Sequence, residues 1–293
     1  MSIAAWVSEA PERLRGRCNR AIREAAGLSH DAPEACLDPA QSFLPVDGVA
    51  RIVNGDLPPM MIGGVASLFF EMLHPHTMAG VAQHSRYQHD ALGRVLQTAN
   101  FIGATTFGSN PNAYAAIERV LAIHQGVRGI ADDGQPYYAN DPHLLQWVHC
   151  AGASMFLTAY QRYGALALSS DDADRYVGEV ATTARAMGVG DPPTTVDELR
   201  GALEAFRPEL RLSSDGVVAR DFVARGVARS VHERLAYRLI VDAAYALLEP
   251  WARSMLDVPT TAVRHRLVVR PAARALSTAV RLAVPPTKPV TLR

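Results

Sequence analysis

The stretch 57-LPPMMIGGVASLFFEML-73 decides the fold class of this chain. It opens with prolines, which are favoured in the first turn of a helix, and it is apolar on every face, as a helix inside a core is. A chain of 293 residues that is 48% hydrophobic is long enough to bury a sizeable core around it. We predict a buried helix over residues 57–73.

Helical periodicity continues along the chain, whereas the alternating pattern of strands is nearly absent. Asp141 before Pro142 marks a helix start, and Thr195 with Glu198 three residues later has the capping-box pattern. Besides 57–73, the predicted helices cover 87–105, 112–125, about 141–163, about 169–187, a segment from 195, 217–229, 231–248 and part of 261–284. The predicted fold is an all-α, single-domain bundle of about ten helices.

We divide this domain into three parts. Residues 1–55 mix short helical stretches with turn signals and are predicted to form an N-terminal arm that wraps the core. Residues 56–256 form the helical core. Residues 257–293 form a basic C-terminal helix and tail that pack on it, with seven basic and no acidic residues after Asp257.

Charge and cysteine content exclude several classes of protein. Lys+Arg and Asp+Glu are 29 each, so no net charge favours nucleic acid, and the basic C-terminal helix allows at most peripheral membrane contact. Cys18, Cys36 and Cys150 lack CxxC spacing, which argues against a disulfide framework and fits a reducing cytoplasm. We find no secretory signal in MSIAAWVSEAPERLRGR and no membrane-spanning window. The predicted location is cytoplasmic.

Seven of the ten histidines lie between His74 and His149. His124 closes an apolar helical stripe, and Arg128 follows four residues later, where the two share a face if the helix continues through Gly126. A neutral imidazole can ligate haem iron, and an arginine can clamp a haem carboxylate. The alternative is a core histidine bonded to a backbone carbonyl beside a surface arginine.

Two more segments have the composition of a pocket lining. Arg94, Thr98, Phe101 and Thr105 form a stripe with little charge on an otherwise apolar helix, which faces either a site or water. His149 lies on a helix rich in small residues, which allow the close approach of a flat cofactor or of another helix.

Other metal and catalytic motifs are missing or incomplete. Glu71 and His74 form one Glu-x-x-His element, whereas a four-helix di-iron site requires two. Zincin, nucleophile-elbow and dinucleotide-binding motifs are absent from the sequence. Pro75 interrupts the helix between His74 and His76, so these histidines and His84 are expected at a junction.

In their order and spacing, four segments resemble the family of haem-b-binding oxygenases that includes MpaB and the latex-clearing proteins. They are LHPHTMAGVAQHS, GRVLQTANFIGATTFG, AIHQGVRG with YYANDPHLLQWVHCAGASMFLTAYQRYG, and LSSDDADRYVGEVATTARAMGV. The resemblance covers about residues 57–210. It implies an all-helical haem-b protein that oxidises or cleaves carbon–carbon double bonds of isoprenoids with dioxygen.

The resemblance also implies roles for individual residues. His124 corresponds to the proximal iron ligand and Arg128 to the arginine that follows it. Arg94 and Thr98 correspond to the Arg-x-x-x-Thr pair, and His149 to a histidine near the haem. Phe101 joins this cofactor-binding set.

The chain departs from the latex-clearing proteins at two points. They place a lysine before the threonine, where this chain has Gln97, and an amide is a poor iron ligand, so we expect an open distal side. They also use an acid upstream of the arginine, whereas residues 74–85 contain none. Glu71 is the nearest carboxylate, and His76 or His84 can act as a base near neutral pH.

The sequence therefore predicts a haem-b-dependent oxygenase or peroxygenase-like oxidoreductase. Its expected partners are a small apolar substrate, isoprenoid-like or a secondary metabolite, and dioxygen or peroxide. Gln97, Thr98 and His84 are the predicted catalytic residues. The alternatives are a non-catalytic haem carrier or sensor on the same scaffold, and a helical scaffold without haem that acts through protein contacts.

Overall fold

A computed structural model describes residues 35–226, 230–258 and 262–283. This part of the chain is almost entirely helical, which confirms the all-α class. One small two-stranded sheet is the exception. The predicted N-terminal arm up to residue 34 and the tail after residue 283 lie outside the described residues.

The elements follow one another with short connections. In chain order they are α1 Val49–Gly55, α2 Leu57–Glu71, α3 Pro75–His84, α4 Ala91–Phe107, α5 Asn110–Gln125, β1 Arg128–Ile130, β2 Pro136–Tyr138, α6 Pro142–Tyr163, α7 Ser170–Ala186, α8 Val196–Phe206, α9 Ser214–Arg225, α10 Val231–Tyr245, α11 Pro250–Met255 and α12 Arg270–Ala283. A 3₁₀ turn, Arg207–Glu209, continues α8, and a π-helical turn, His265–Val269, leads into α12.

Helix α2 lies at the centre of the domain, as its sequence predicts. Its longest contact is with α6, and it also packs on α10. Gly63 permits the close approach to α6, because a methyl group there would lie 3.0 Å from the Phe156 ring and 3.1 Å from Ala159. Ala66 and Phe69 of α2 are completely buried.

Pro75 ends one helix and starts another. Helix α2 stops at Glu71, His74 is extended with φ −90° and ψ 114°, and Pro75 occupies the first turn of α3. A proline is tolerated there because the amide it lacks would have no partner within the helix. The predicted junction is confirmed for His74, which precedes α3, whereas His76 lies in its first turn and His84 at its far end.

A β-hairpin follows α5, in the segment between the predicted helices 112–125 and 141–163. β1 and β2 are antiparallel, with Gly129 opposite Tyr137, and Gly134 turns the chain with φ +80°. Tyr137 is buried and donates a hydrogen bond of 2.7 Å to Gln83 Oε1. The hairpin therefore docks on α3.

Both ends of the described chain are tied into the core. Glu179 of α7 accepts hydrogen bonds from the first amides of α1, Val49 N at 3.2 Å and Ala50 N at 2.7 Å. Near the other end, Arg281 of α12 pairs with Asp56, which precedes α2, through Nε and Nη2 at 2.8 and 2.7 Å.

Among the described residues, no single helix is long and apolar enough to cross a membrane. Only together do α2 and α3 have the length and apolar composition of a membrane-spanning segment, and the chain bends by 105° between them.

Candidate functional site

The central helix pair leaves one side accessible to solvent, which we call the α2–α6 open face. It is formed by Gly64 and Leu68 of α2 with Val148 and Gly152 of α6; Leu68 is 42% and Val148 37% exposed. The two glycines have room beside them, since a methyl group would meet its nearest atom at 3.8 Å on Gly64 and 3.7 Å on Gly152. The face therefore offers a small apolar surface beside the central helix pair, which we take as a candidate for ligand contact.

Glu71 lies one turn beyond Leu68, at the end of α2. Burial raises the pKa of its carboxyl group from 4.5 to about 7, although a hydrogen bond donated by Ser67 Oγ and the charge of Arg94 both oppose the shift. The backbone carbonyl of Glu71 accepts a hydrogen bond of 3.2 Å from Trp147 Nε1. The site thus contains a carboxyl group that can hold or release a proton near neutral pH.

Arg94 projects from the first half of α4 and joins two parts of the site. Its charge lowers the pKa of Glu71 on α2 and also that of His124 on α5. Arg94 itself is exposed and makes no ion pair within the described part of the chain. The arginine is thus linked electrostatically to both the carboxyl group and the imidazole.

His124 occupies the last turn of α5. Burial is the main cause that lowers the pKa of its imidazole, with a smaller contribution from Arg94 and an opposing one from Asn140. Its Nδ1 and the Oδ1 of Asn140 are buried without a hydrogen-bond partner among the described residues. Asn140 Nδ2 donates to the Leu121 carbonyl at 3.0 Å, which holds the amide against α5. The neutral imidazole is the form that ligates iron.

The other predicted residues of α4 occupy its loosely packed first half. Gln97 and Thr98 are exposed, and Thr98 Oγ1 donates to the Arg94 carbonyl at 3.1 Å. Phe101 is half-buried and packs on a group of buried apolar residues that includes Ile117 of α5 and Cys150 of α6. Gln97 and Thr98 can therefore face a ligand, and Phe101 anchors their helix.

His149 lies on α6, next to Val148 of the open face. Its Nε2 is buried without a hydrogen-bond partner in the described chain. Burial, assisted by the charge of Arg185 on α7, lowers the pKa of the ring to about 4. Arg185 and Asn140 could not be found from the sequence, because neither lies in a helical stripe with the predicted residues.

The structure changes the position expected for Arg128. Helix α5 ends at Gln125, since the chain turns at Gly126, and Arg128 lies on β1 rather than one helical turn after His124. Its side chain is exposed, and its carbonyl lies 3.2 Å from His84 Nε2. The hairpin thus brings Arg128 and His84 together. No hydrogen bond or ion pair within the described residues joins either of them to Arg94 or His124.

Two surface depressions lie elsewhere. One, of about 370 Å³, is lined by Arg162 and His265, and the other, of about 580 Å³, by Phe43 and Asp47. Neither contains a predicted site residue.

A helical core with an apolar open face, a carboxyl group whose pKa is about 7 and a neutral imidazole has the composition of a candidate catalytic domain. The chain belongs to the family described as "ER-bound oxygenase mpaB/B'/Rubber oxygenase, catalytic domain", whose model matches residues 52–281. The family resemblance is thereby confirmed, and the chain carries an oxygenase catalytic domain. No curated protein and no solved structure matches it.

Proposed function

We propose that this protein is a haem-b-dependent oxygenase that acts on a small, apolar, isoprenoid-like substrate. The observation that carries the proposal is the convergence around Arg94, whose charge acts on both the Glu71 carboxyl group and the His124 imidazole. The apolar open face lies beside these groups. Membership of an oxygenase family supplies the reaction class.

The residues present fit a haem. His124 offers a neutral imidazole at a helix end, and the Oδ1 of Asn140, which has no partner among the described residues, would accept its Nδ1–H once the ring is oriented by iron. A ligating histidine usually donates its other ring N–H to such a partner, which fixes the tautomer and the ring orientation. Leu68 and Val148 offer apolar contacts for a flat macrocycle, and Gly152 has no side chain that would hold such a ring away from α6.

Exposed arginines would pair with the haem carboxylates. Arg94 is free to do so from α4, and Arg185 from α7, beside His149. Arg128 stays a candidate from β1, but it would approach from the hairpin rather than from the helix of His124. Bidentate pairing with a carboxylate is the interaction for which a guanidinium is best suited.

Haem, when bound, supplies the redox chemistry with dioxygen or peroxide. The chain's own residues would control protons and water around it. Glu71 can hold a proton on its carboxyl group near pH 7 and release it, while Ser67 fixes the orientation of that group. Gln97 and Thr98 would supply hydrogen bonds from α4, opposite the wall formed by α2 and α6. His84 stays a weaker candidate base, since its ring nitrogen already faces the Arg128 carbonyl.

The experiment measures haem binding and turnover on the same preparation. The purified protein, titrated with haemin, is expected to develop a Soret band at one equivalent and then to consume dioxygen or peroxide with an unsaturated isoprenoid, giving an oxidised product. A Soret band without turnover under any condition would favour the haem carrier or sensor. No Soret band at all would refute haem dependence.

A further inference from the structure

Three potential metal ligands meet at the ends of three different elements. His74 precedes α3, His143 lies in the first turn of α6, and Glu209 ends the 3₁₀ turn after α8. One ligand atom from each lies within 4.8 Å of the other two. None of the three belongs to the predicted haem-binding set.

Local hydrogen bonds fix the backbone at each ligand. Asp141 caps α6 by accepting from the His143 amide at 2.9 Å, and the Arg211 amide donates to the Leu73 carbonyl at 2.8 Å. The second bond holds the segment after Glu209 against the residue before His74. The cluster is therefore built on ordered backbone rather than on flexible side chains alone.

The distances suit a small divalent cation. His74 Nε2 lies 3.4 Å from Glu209 Oε2, and His143 Nε2 lies 2.9 Å from the same oxygen. Ligands in a tetrahedral zinc site are about 2.0–2.1 Å from the metal, which places them about 3.4 Å from one another. The distance between His74 and Glu209 already matches that spacing, and a shift of a few tenths of an ångström would bring His143 to the same distance from Glu209, with the ligand nitrogens of the two imidazoles within 4.8 Å of each other.

His74 is the member of the cluster that hydrogen bonding does not explain. Its side chain is 3% exposed, and neither ring nitrogen makes a well-formed hydrogen bond to another described residue. Its Nδ1 has no partner among the described residues, and Nε2 has only the 3.4 Å approach of Glu209, so the buried ring is costly unless a better partner is supplied.

The surroundings leave these donors available. The neighbouring His76 faces Asp133 at 3.2 Å, so that pair is satisfied separately. The buried Phe206 ring packs against both imidazoles, with centroids 4.6 Å from His143 and 6.3 Å from His74, and restricts their orientation. Glu209 and His143 are half-exposed, with side chains 43% and 52% accessible, which leaves a path for an ion and room for a water ligand.

We propose that His74, His143 and Glu209 bind a divalent zinc-type metal ion, with water completing the coordination. Two imidazoles and one carboxylate are a donor set that zinc accepts in proteins, and one negative charge partly balances the ion. Through His74, His143 and Glu209, the bound ion would join the junction between α2 and α3 to the start of α6 and to the 3₁₀ turn after α8. Its role would be to stabilise these three segments, and this role does not require haem.

The test uses the full chain without affinity histidines, dialysed against a chelator and titrated with zinc by calorimetry. We expect one equivalent to bind with a Kd of about 1 µM or tighter, a Tm rise of about 5 °C at 100 times the Kd, and nitrogen and oxygen ligands at about 2.0–2.1 Å by X-ray absorption. His143→Gln and Glu209→Gln should each weaken binding at least tenfold. His232→Gln, an exposed histidine on α10, is the matched control and should change nothing.

Both variants change half-exposed residues, so they should fold, and circular dichroism checks this. Absence of zinc binding by the parent protein, or equal affinity in parent and both variants, would overturn the proposal and leave a hydrogen-bonded cluster only. Because the measurement follows zinc and not the Soret band, its failure would not bear on the haem proposal.

Discussion

Replacement of Glu71 by glutamine tests the electrostatics of the site without removing any packing. In the folded protein the pKa of this carboxyl group is about 7, against 4.5 ordinarily, because burial disfavours the charged form. The folded state therefore holds a proton that the unfolded chain has already released. Stability is lost as the pH rises between these two values, the reverse of the usual behaviour of a salt-bridged carboxylate.

The size of the effect follows from the two pKa values. Integration between pH 5 and pH 8 gives a loss of roughly 2–3 kcal/mol in the free energy of unfolding from this one group. Glu71→Gln keeps the side-chain volume and removes the titration. The variant should gain roughly this amount relative to the parent at pH 8, and much less at pH 5.

Urea unfolding of both proteins at pH 5, 6, 7 and 8 measures the difference in their free energies of unfolding. Because the other titrating groups are the same in both proteins, their contributions cancel in this difference. Glu118→Gln on the exposed side of α5 is the control and should leave the pH dependence unchanged. Equal pH dependence of Glu71→Gln and the parent would refute the buried, protonated carboxyl group on which the proton-transfer role rests.

Three further changes probe packing and charge. Arg281→Ala leaves the largely buried Asp56 carboxylate unpaired, so chemical denaturation should show a loss of about 3 kcal/mol, and Arg281→Lys a smaller one. Gly152→Leu places a side chain on the open face and should weaken haem binding at least tenfold in a haemin titration, with little change in Tm. Gly201→Leu, at an exposed position of α8, is the control and should not weaken binding. Unchanged haem affinity in Gly152→Leu would place the haem elsewhere. His149, whose pKa falls from 6.5 to about 4, resists protonation when folded, so stability is present above pH 6.5 and is lost as the pH falls toward 4. His149→Gln should flatten this acid limb in denaturation curves at pH 4.5 and 7, and an unaltered limb would contradict the burial of its ring.

The helices could be predicted because periodicity and caps act locally. Ser169 caps α7 with a complete capping box, and Pro142 opens α6. Thr195 accepts from the Glu198 amide as predicted, but the Glu198 carboxylate bonds to Thr194, one residue earlier. Helix α4 begins at Ala91 rather than residue 87, because Asp90 accepts from the Gly93 amide and fixes the start there.

The parts that could not be predicted depend on contacts between distant segments. β1 and β2 are each three residues long, too short for an alternating pattern, and they are held by docking on α3. The loop before α6 gave no indication that Asn140 would reach α5. The meeting of His74, His143 and Glu209 joins positions up to 135 residues apart, which no local spacing reveals.

Helical periodicity correctly placed His124 near the end of α5 and Arg94 in the first half of α4. The charge of Arg94 acts on the Glu71 carboxyl group and on the His124 imidazole, which lie on two other helices. The pairing of His124 with Arg128 was wrong as a helical contact, since it assumed that α5 continues through Gly126. Instead, α5 ends at Gln125, with Gly126 as its C-cap, and β1 begins two residues later at Arg128.

The central claim is that His124 holds a haem iron, and haemin titration of His124→Ala tests it most directly. The parent and His89→Ala, an exposed histidine before α4, should form the same Soret band at one equivalent. His124→Ala should lose or shift that band, and added imidazole should restore it by taking the vacated ligand position. A Soret band in His124→Ala identical to that of the parent would contradict the account.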